Sequence, residues 1–442
     1  MVKPFNGHIC AYITGHPQIT EPMMKRRDFL GGATALLGAS AVAGTGARAE
    51  SVIDRILKNP GHGNWNDQFD AQKSGAGLNA SKSPIFSDQT PLYIERAIGE
   101  YRQIVASGGW PVVPANQKLE LGATSRNVPL LRQRLAVSGD LDRAAGNSEV
   151  YDTWVTAAVK RFQARHGLPA DGVLGRFTYA AMNIPASTRL GQLETNLVRL
   201  RSMSGFLGQR YVMVNIPAAH IEAVENGEVV SRHTAIVGKV DRQSPILNSK
   251  IHEINLNPYW TAPVSIVKKD IIPLMQKDPT YLTRNAIRIF APDGTEIPPE
   301  NVNWNSEEAV DYMFRQDPGR INAMGSVKIN FHNPHAVYMH DTPQQSLFGR
   351  LLRFESSGCV RVQNVRDLVA WLAKDTPGWT RREIERVIES GDRTDIQLSD
   401  PVPVYFTYVT AWATEDGVVQ FRDDIYRRDG VEELALGTGT TL

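Results

Sequence analysis

Apolar side chains recur every three to four residues over much of the first half of the chain. One such run covers residues 92–107 and ends at Gly108-Gly109. Three shorter runs follow. The first is on Val128, Leu131 and Leu135 and ends at a Ser-Gly-Asp turn. The second is on Val155, Val159 and Phe162 and is followed by an Asp-Gly turn, and the third covers 177–182. The pattern predicts an N-terminal helix and then a small three-helix bundle.

From about residue 210 the spacing of apolar residues changes to that of β-strands. Residues 211–216, 220–224 and 229–230 read as short strands, the last two joined by an Asn-Gly turn. Three helical patterns interrupt them, over 268–277, 307–314 and 365–373. Near the C-terminus, strands over 404–412 and 418–422 flank Glu415-Asp416-Gly417. We therefore predict a β-rich α+β domain that ends in a hairpin.

Two N-terminal segments differ from this pattern. Residues 51–90 are rich in Asn, Gly, Ser and Asp, which predicts a loosely packed segment. Before it, Arg26-Arg27 lies in a basic patch, residues 31–46 are uncharged and rich in Gly and Ala, and Ala47-Arg48-Ala49 has a small-x-small cleavage pattern. Residues 1–49 are therefore predicted to be an over-long start, containing Cys10, followed by a twin-arginine-type export signal. A leader retained on a cytosolic protein is the alternative.

Charge and cysteine content exclude several classes of protein. The 442 residues carry 48 basic and 47 acidic side chains, a formal net charge of +1, so binding of nucleic acid by bulk electrostatics is not expected. Two cysteines cannot build a disulfide-dense scaffold or a four-cysteine zinc site. Once the export signal is removed, Cys359 is the only cysteine of the predicted mature chain. Its thiol is either a buried apolar group or a reactive one.

The residues around Cys359 favour a reactive thiol. A cysteine nucleophile needs a base, and His340 lies nineteen residues upstream. Tyr338 and His340 are two residues apart on a strand, so their side chains share a face. Cys359 and Arg361 are also two residues apart, so their side chains are expected to share a face as well. Arg361 is expected to lower the thiol pKa and to hold a substrate carboxylate. Gly358 lets backbone approach closely, and successive N–H groups there are candidates for an oxyanion hole.

Two longer stretches resemble known families. Residues 158–183, AVKRFQARHGLPADGVLGRFTYAAMN, resemble the small three-helix peptidoglycan-binding domain of cell-wall enzymes. His340-Asp341-Thr342-Pro343 and Ser356-x-Gly358-Cys359-Val360-Arg361-Val362 resemble the active-site motif of the L,D-transpeptidases, with their YkuD-type catalytic domain. The combination is similar to the large Gram-negative YcbB-type members. Many L,D-transpeptidases have a histidine where this chain has Ser357, but the base of the family is the upstream histidine, here His340.

The resemblance implies an activity and roles for individual residues. Cys359 would attack the carbonyl of the third residue of a donor tetrapeptide stem, with His340 as the base. Ser356 would orient the imidazole through its backbone, and Tyr338 would join the N–H groups of Gly358 and Cys359 in holding the oxyanion. An amine of an acceptor stem would then take the acyl group. The resemblance also implies substrate contacts at Arg361, Trp260 and Ser357 and acylation of Cys359 by carbapenems. It implies a periplasmic location, other cell-wall enzymes as partners, and no metal or other cofactor.

The resulting fold prediction is an α+β multidomain protein in which a β-rich catalytic domain carries a helical capping insertion. The predicted segments are the start and signal peptide (1–49), an N-terminal scaffold (50–118), the peptidoglycan-binding domain (119–185), a linker helix (186–208), the catalytic domain (209–399, with the insertion at about 264–324) and the C-terminal hairpin and tail (400–442).

Several other functions fit parts of the sequence. The same residues serve an L,D-carboxypeptidase that trims stems with water, and a non-catalytic peptidoglycan-binding scaffold would retain an inactive domain. A zinc site would use His332, His335 and His340, but His335 and His340 face opposite sides of a continuous strand. A papain-like protease has its cysteine before its histidine, the reverse of the order here.

Overall fold

A computed structural model describes residues 82–203, 207–306 and 308–430. The predicted export signal and Cys10 lie outside these ranges. Within them, no helix is both long enough and apolar enough to cross a membrane. The loosely packed segment predicted for residues 51–90 is wrong at its described end, because Ile85 and Phe86 are buried in a hydrophobic core.

The predicted helices of the first half are confirmed. Asp152 caps one of them, because its side chain accepts a hydrogen bond from the Val155 N–H. Pro at the first turn starts two others, where the missing N–H costs no hydrogen bond. The helices are α1 (Thr90–Ala106), α2 (Val128–Val137), α3 (Thr153–Arg165), α4 (Arg176–Met182) and α5 (Ala186–Met203), with a 3-10 turn at Arg143–Ala145.

Helices α2, α3 and α4 bury one core of their own, and a polar contact joins this bundle to the C-terminal hairpin. The Arg165 guanidinium forms a buried ion pair with Asp140 at 2.6 Å and donates to the Val419 carbonyl at 3.3 Å. Arg422 donates in return to the Arg165 carbonyl at 3.1 Å. The bundle is therefore held against the rest of the protein by directional hydrogen bonds as well as by apolar packing.

The second half of the described chain is built on one nine-stranded sheet. The strands are β1 (Arg210–Asn215), β2 (His220–Glu225), β3 (Glu228–Gly238), β4 (Leu247–Leu256), β9 (Val327–Phe331), β10 (Met339–His340), β11 (Phe354–Ser356), β12 (Val360–Val362) and β13 (Thr394–Thr407). Their order in the sheet is β11-β3-β12-β10-β9-β4-β13-β1-β2. β2 also pairs with β3, which closes the sheet on itself and leaves β11 outside the closure. The β1–β13, β10–β12 and β11–β3 pairs are parallel, and the remaining pairs are antiparallel.

The predicted strand over 404–412 is wrong as a single element. Its first residues belong to β13 and pair with both β1 and β4 in the large sheet. The chain leaves that sheet after Thr407, and β14 (Ala411–Ala413) then pairs with β15 (Val419–Phe421) in the hairpin. Trp412 and Phe421 of the hairpin pack against α1 and α5 in a second core.

The insertion is partly helical, as predicted, but it also has a small sheet and a core of its own. The predicted helix over 307–314 is wrong, because the described residues form a short 3-10 turn (Glu308–Asp311) and then a strand. Its sheet has the order β5-β8-β6-β7, from β5 (Trp260–Thr261), β6 (Ile287–Phe290), β7 (Glu296–Ile297) and β8 (Met313–Gln316). Its helical segments are α6 (Val264–Ile266), a π-helical turn (Val267–Ile271), α7 (Ile272–Lys277) and α8 (Tyr281–Arg284).

Two amphipathic helices complete the fold, α9 (Val365–Leu372) and α10 (Arg381–Ser390). α9 confirms the helix predicted over 365–373. Leu368 and Val369 of α9 and Ile384 of α10 lie in the largest core, against the closed sheet. The packing of these two helices thus supports the strands on which the candidate site lies.

Candidate active site

Three neighbouring strands present their chemically active side chains on one face of the sheet. β10 pairs in parallel with β12, so that His340 lies beside Arg361, and it pairs with β9, so that His340 lies beside Lys328. Because side chains alternate along a strand, Tyr338 and Cys359 share this face with them. The rings of Tyr338 and His340 lie 5.6 Å apart at 65°. Residues from separate parts of the sequence therefore meet around one thiol.

The loop before Cys359 has a conformation that requires glycine. Gly358 has φ +114°, a region that L side chains rarely adopt. A Cβ there would come no nearer than 3.5 Å to another atom, so the backbone angle is the reason for glycine, rather than the close approach predicted from the sequence. Ser356 Oγ accepts from the Gly358 N–H at 3.1 Å and donates to the Cys359 carbonyl. The Gly358 N–H is therefore not free for an oxyanion, a correction to the predicted role.

The Cys359 thiol is partly buried and lies beside Tyr338. The backbone and the hydroxyl of Tyr338 lie close enough to the sulfur to lower the pKa of the thiol. Burial raises the pKa of the thiol, and it outweighs Tyr338, Lys328 and Arg361, which each lower it. The prediction that Arg361 lowers the thiol pKa thus has the right direction, but the net pKa is higher than that of an ordinary cysteine.

The His340 imidazole is buried and held by its neighbour in sequence. Its Nδ1 lies 2.5 Å from the Asp341 carbonyl oxygen. A carbonyl can only accept, so Nδ1 carries the proton and Nε2 is the free proton acceptor. Burial, then the charges of Arg361 and Lys328, lower the pKa of His340 to about 3. The imidazole is therefore neutral at physiological pH.

Asp341, rather than Ser356, orients the imidazole. The Ser356 carbonyl, which was predicted to have that role, accepts from the Lys239 N–H at 3.0 Å. The Asp341 carboxylate is fixed in turn, since its Oδ2 accepts from the N–H and the hydroxyl of Ser326, at 2.9 and 2.8 Å. The hydrogen bonds of Ser356 therefore go to Lys239 and to residues 358 and 359 of the loop at 356–359, which we call the nucleophile loop.

These pKa directions predict how the thiol reacts with pH. A neutral thiol beside a neutral imidazole is not a thiolate–imidazolium pair, so alkylation by iodoacetamide should be slow at pH 7 and rise about tenfold per pH unit to beyond pH 9. The measurement is the alkylation rate from intact mass between pH 5 and 10. A rate that is already on a plateau between pH 5 and 8 would contradict this electrostatic account.

The three predicted substrate-binding residues have different contacts in the structure. Arg361 Nη1 donates to Gln344 Oε1 at 2.9 Å. Trp260 packs against the core of the insertion and lies near the Tyr338 hydroxyl, whose pKa it lowers. Ser357 is exposed, and its hydroxyl accepts from Arg242 Nη1 at 3.0 Å.

Arg242 was not predicted, and it connects the nucleophile loop to the insertion. Besides its bond to Ser357, its guanidinium forms a two-point ion pair with Asp270, with N–O distances of 2.5 and 3.0 Å. Lys328 was not predicted either. Its Nζ lies 4.7 Å from the centroid of the Tyr338 ring, which places it at the site. The available signal was a lysine alternating with apolar residues in the strand 327–331.

The histidines of the alternative zinc site do not converge. His332 and His335 are exposed, whereas His340 is buried, and the His332 ring stacks on His252 with centroids 4.1 Å apart. In the part of the chain that the structure describes, no group of three or more His, Cys, Asp or Glu side chains is placed to hold a metal ion.

Comparison with family models assigns the domain that contains this site. Residues 209–388 match the YkuD family, "L,D-transpeptidase catalytic domain". This stretch is an L,D-transpeptidase catalytic domain. Residues 124–182 match a second family, "Putative peptidoglycan binding domain", so the transpeptidase domain follows a peptidoglycan-binding domain in the same chain. The recognition of both families from the sequence, and the α+β multidomain fold class, are confirmed.

Individual relatives extend the comparison. A Haemophilus influenzae protein named "Putative L,D-transpeptidase" is 34% identical over 245 residues, which are 55% of this chain and 49% of that protein. The chain thus spans about half the length of this curated relative. Solved structures that align with the chain include an L,D-transpeptidase from Xylanimonas cellulosilytica (16% identity, 66% of this chain and 99% of that one, TM-score 0.22) and the catalytic domain of an E. faecium L,D-transpeptidase acylated by ertapenem (12%, 46% and 100%, TM-score 0.23). At such TM-scores the structural alignments add no support.

Proposed function

We propose that the protein is a peptidoglycan L,D-transpeptidase in which Cys359 is the nucleophile and His340 the base. The observation that carries the proposal is the convergence of Tyr338, His340 and Cys359 on one face of the sheet, inside a domain that matches the transpeptidase family. The neutral imidazole, with Nε2 free, supports the assignment of His340, because a base must be able to accept a proton.

In the proposed reaction, proton transfer accompanies attack. The Cys359 proton passes to His340 Nε2 while the sulfur bonds to the carbonyl carbon of the third residue of a donor tetrapeptide stem. The Cys359 N–H and the Tyr338 hydroxyl stabilise the oxyanion, and burial keeps Tyr338 a neutral donor by raising its pKa. The terminal D-alanine leaves with the proton from the imidazolium, which gives a thioester on Cys359. An acceptor amine then displaces the sulfur and completes the cross-link.

Several finer assignments belong to the same proposal. The resemblance to YcbB-type members supports that subtype, a periplasmic location after twin-arginine export, and other cell-wall enzymes as partners. The domain boundaries predicted from the sequence belong to this proposal as well. The bundle at 124–182 would bind peptidoglycan, which supplies the stem peptides.

Carbapenem acylation tests the nucleophile. Incubation with a carbapenem should increase the intact mass of the protein by one molecule of the drug, because the strained β-lactam carbonyl leaves a stable thioester on Cys359. In the full-length chain, which still carries Cys10, the increase should be absent from Cys359→Ala and present in the matched Cys10→Ser variant. A wild-type protein that folds and stays unmodified would favour the non-catalytic scaffold.

Product analysis separates cross-linking from trimming. With purified disaccharide tetrapeptide as the sole substrate, we expect a dimer joined between two third residues, in addition to released D-alanine. The products are resolved by mass spectrometry, with Cys359→Ala as the blank. Monomeric tripeptide without dimer would instead identify an L,D-carboxypeptidase.

A further inference from the structure

We propose that Ser244 and Tyr426 are positioning residues that fix the Gly358–Cys359 peptide and thereby aim the Cys359 N–H at the oxyanion. The inference rests on the proposed function for its reaction, but it concerns residues that touch neither substrate nor sulfur. Ser244 follows β3 by six residues, and Tyr426 lies beyond residues 209–388, which the transpeptidase family model covers.

Ser244 hydrogen-bonds to the backbone of the nucleophile loop. Its side chain is fully buried, and its hydroxyl accepts from the Gly238 N–H at 2.9 Å while donating to the Gly358 carbonyl at 2.8 Å. The loop after Gly238 folds back closely enough for this contact only because Gly238 has no side chain. A Cβ there would lie 2.2 Å from the Arg242 carbonyl oxygen.

Holding the Gly358 carbonyl also sets the direction of the next N–H. In a trans peptide the C=O and the N–H point in opposite directions, so a carbonyl fixed toward Ser244 turns the Cys359 N–H away from it. The Ser356 hydroxyl already takes the Gly358 N–H, whereas none of the described residues accepts from the Cys359 N–H. Glycine has wide rotational freedom, so this peptide needs an external contact to stay in one orientation.

Tyr426 holds the serine in place. Its hydroxyl accepts from the Ser244 N–H at 3.3 Å and donates to the Gly238 carbonyl. Its ring stacks on Tyr408 with centroids 5.6 Å apart, in the same core that supports the sheet. Tyr426 therefore connects the segment after the C-terminal hairpin to Ser244, which holds the nucleophile loop.

Two reagents separate positioning from general damage. Iodoacetamide alkylates the thiol by direct displacement of iodide, with no oxyanion. p-Nitrophenyl acetate transfers its acetyl group to the sulfur through a tetrahedral oxyanion and releases p-nitrophenolate. Both modifications of Cys359 are followed by intact mass in the full chain, with Cys359→Ala as the blank.

In Ser244→Ala we expect acetylation to slow at least about tenfold, because an oxyanion donor is misdirected, while alkylation stays within about twofold. Tyr426→Phe should show a smaller change in the same direction. The matched controls Ser249→Ala and Tyr211→Phe should change neither rate. Each removes a hydroxyl that donates to a backbone carbonyl elsewhere, that of His332 at 2.6 Å and that of Phe86 at 2.9 Å.

An unchanged ratio of acetylation to alkylation in both variants, or an equal fall in both rates, would overturn the inference. If Ser244→Ala does not fold, Tyr426→Phe decides alone, since its ring still fills the core. Failure of this inference can be told apart from failure of the proposed function. If carbapenems do not acylate the wild-type protein but the variants show the expected change in the ratio of acetylation to alkylation, the transpeptidase is rejected and the positioning role is retained.

Discussion

Replacing Cys359 by serine is expected to lower the rate of carbapenem acylation by at least about 10⁴-fold. The reason lies in the weakness of the base. With its pKa lowered to about 3, His340 has little affinity for a proton, and it can deprotonate only a group that becomes acidic early in the attack. A thiol, even with a raised pKa, meets this condition far better than an alcohol.

The acylation rate constant of each variant is obtained from intact mass against time. Cys10→Ser is the matched control for the exchange of sulfur for oxygen, and its rate should equal that of the wild type. A Cys359→Ser protein that is acylated within tenfold of the wild-type rate would contradict the role of Cys359.

Replacing His340 by glutamine should lower the acylation rate by about 10²- to 10⁴-fold at pH 7. Glutamine is polar and neutral but cannot accept the thiol proton. The variant then depends on thiolate formed in solution equilibrium, so its rate should rise about tenfold per pH unit to beyond pH 9. Above about pH 4 the imidazole of the wild type is already neutral, so its own titration adds no further rise there.

Acylation rates from pH 5 to 10 test this contrast, with His332→Gln as the control. His332 is exposed, and its ring stacks on His252 away from the thiol, so the control should keep the wild-type rate and profile. If His340→Gln reacts as fast as the wild type at pH 7, another group is the base.

The parts of the fold that the sequence predicted are those in which local spacing and packing agree. The stripe of Val128, Leu131 and Leu135 faces a single core, so the helical period is clear. Residues 404–412 are buried throughout and are apolar except for Thr407 and Thr410, because the end of β13 packs in one core and the hairpin packs in another. An apolar run of this kind does not reveal where one strand stops. The strands of the insertion, two to four residues long, are too short to show a period.

The same limit applies to the site. Tyr338, His340, Cys359 and Arg361 could be placed on one face because strand alternation and the motif both require it. The partner of His340 Nδ1 could not be predicted, because backbone carbonyls carry no sequence signal. Lys328 reaches the site only through the pairing of β9 with β10. Ser244 and Tyr426 depend on how the chain folds around Gly238, which no local pattern encodes.

The raised pKa of the Cys359 thiol also affects the lifetime of the protein. Peroxides and disulfides oxidise the thiolate, not the protonated thiol, so burial that keeps the sulfur protonated slows its conversion to sulfenic acid or to a mixed disulfide. In the oxidising compartment that we propose, a permanently ionised nucleophile would be consumed between turnovers. A thiol that loses its proton only when a carbonyl is in place stays reduced while it waits for one.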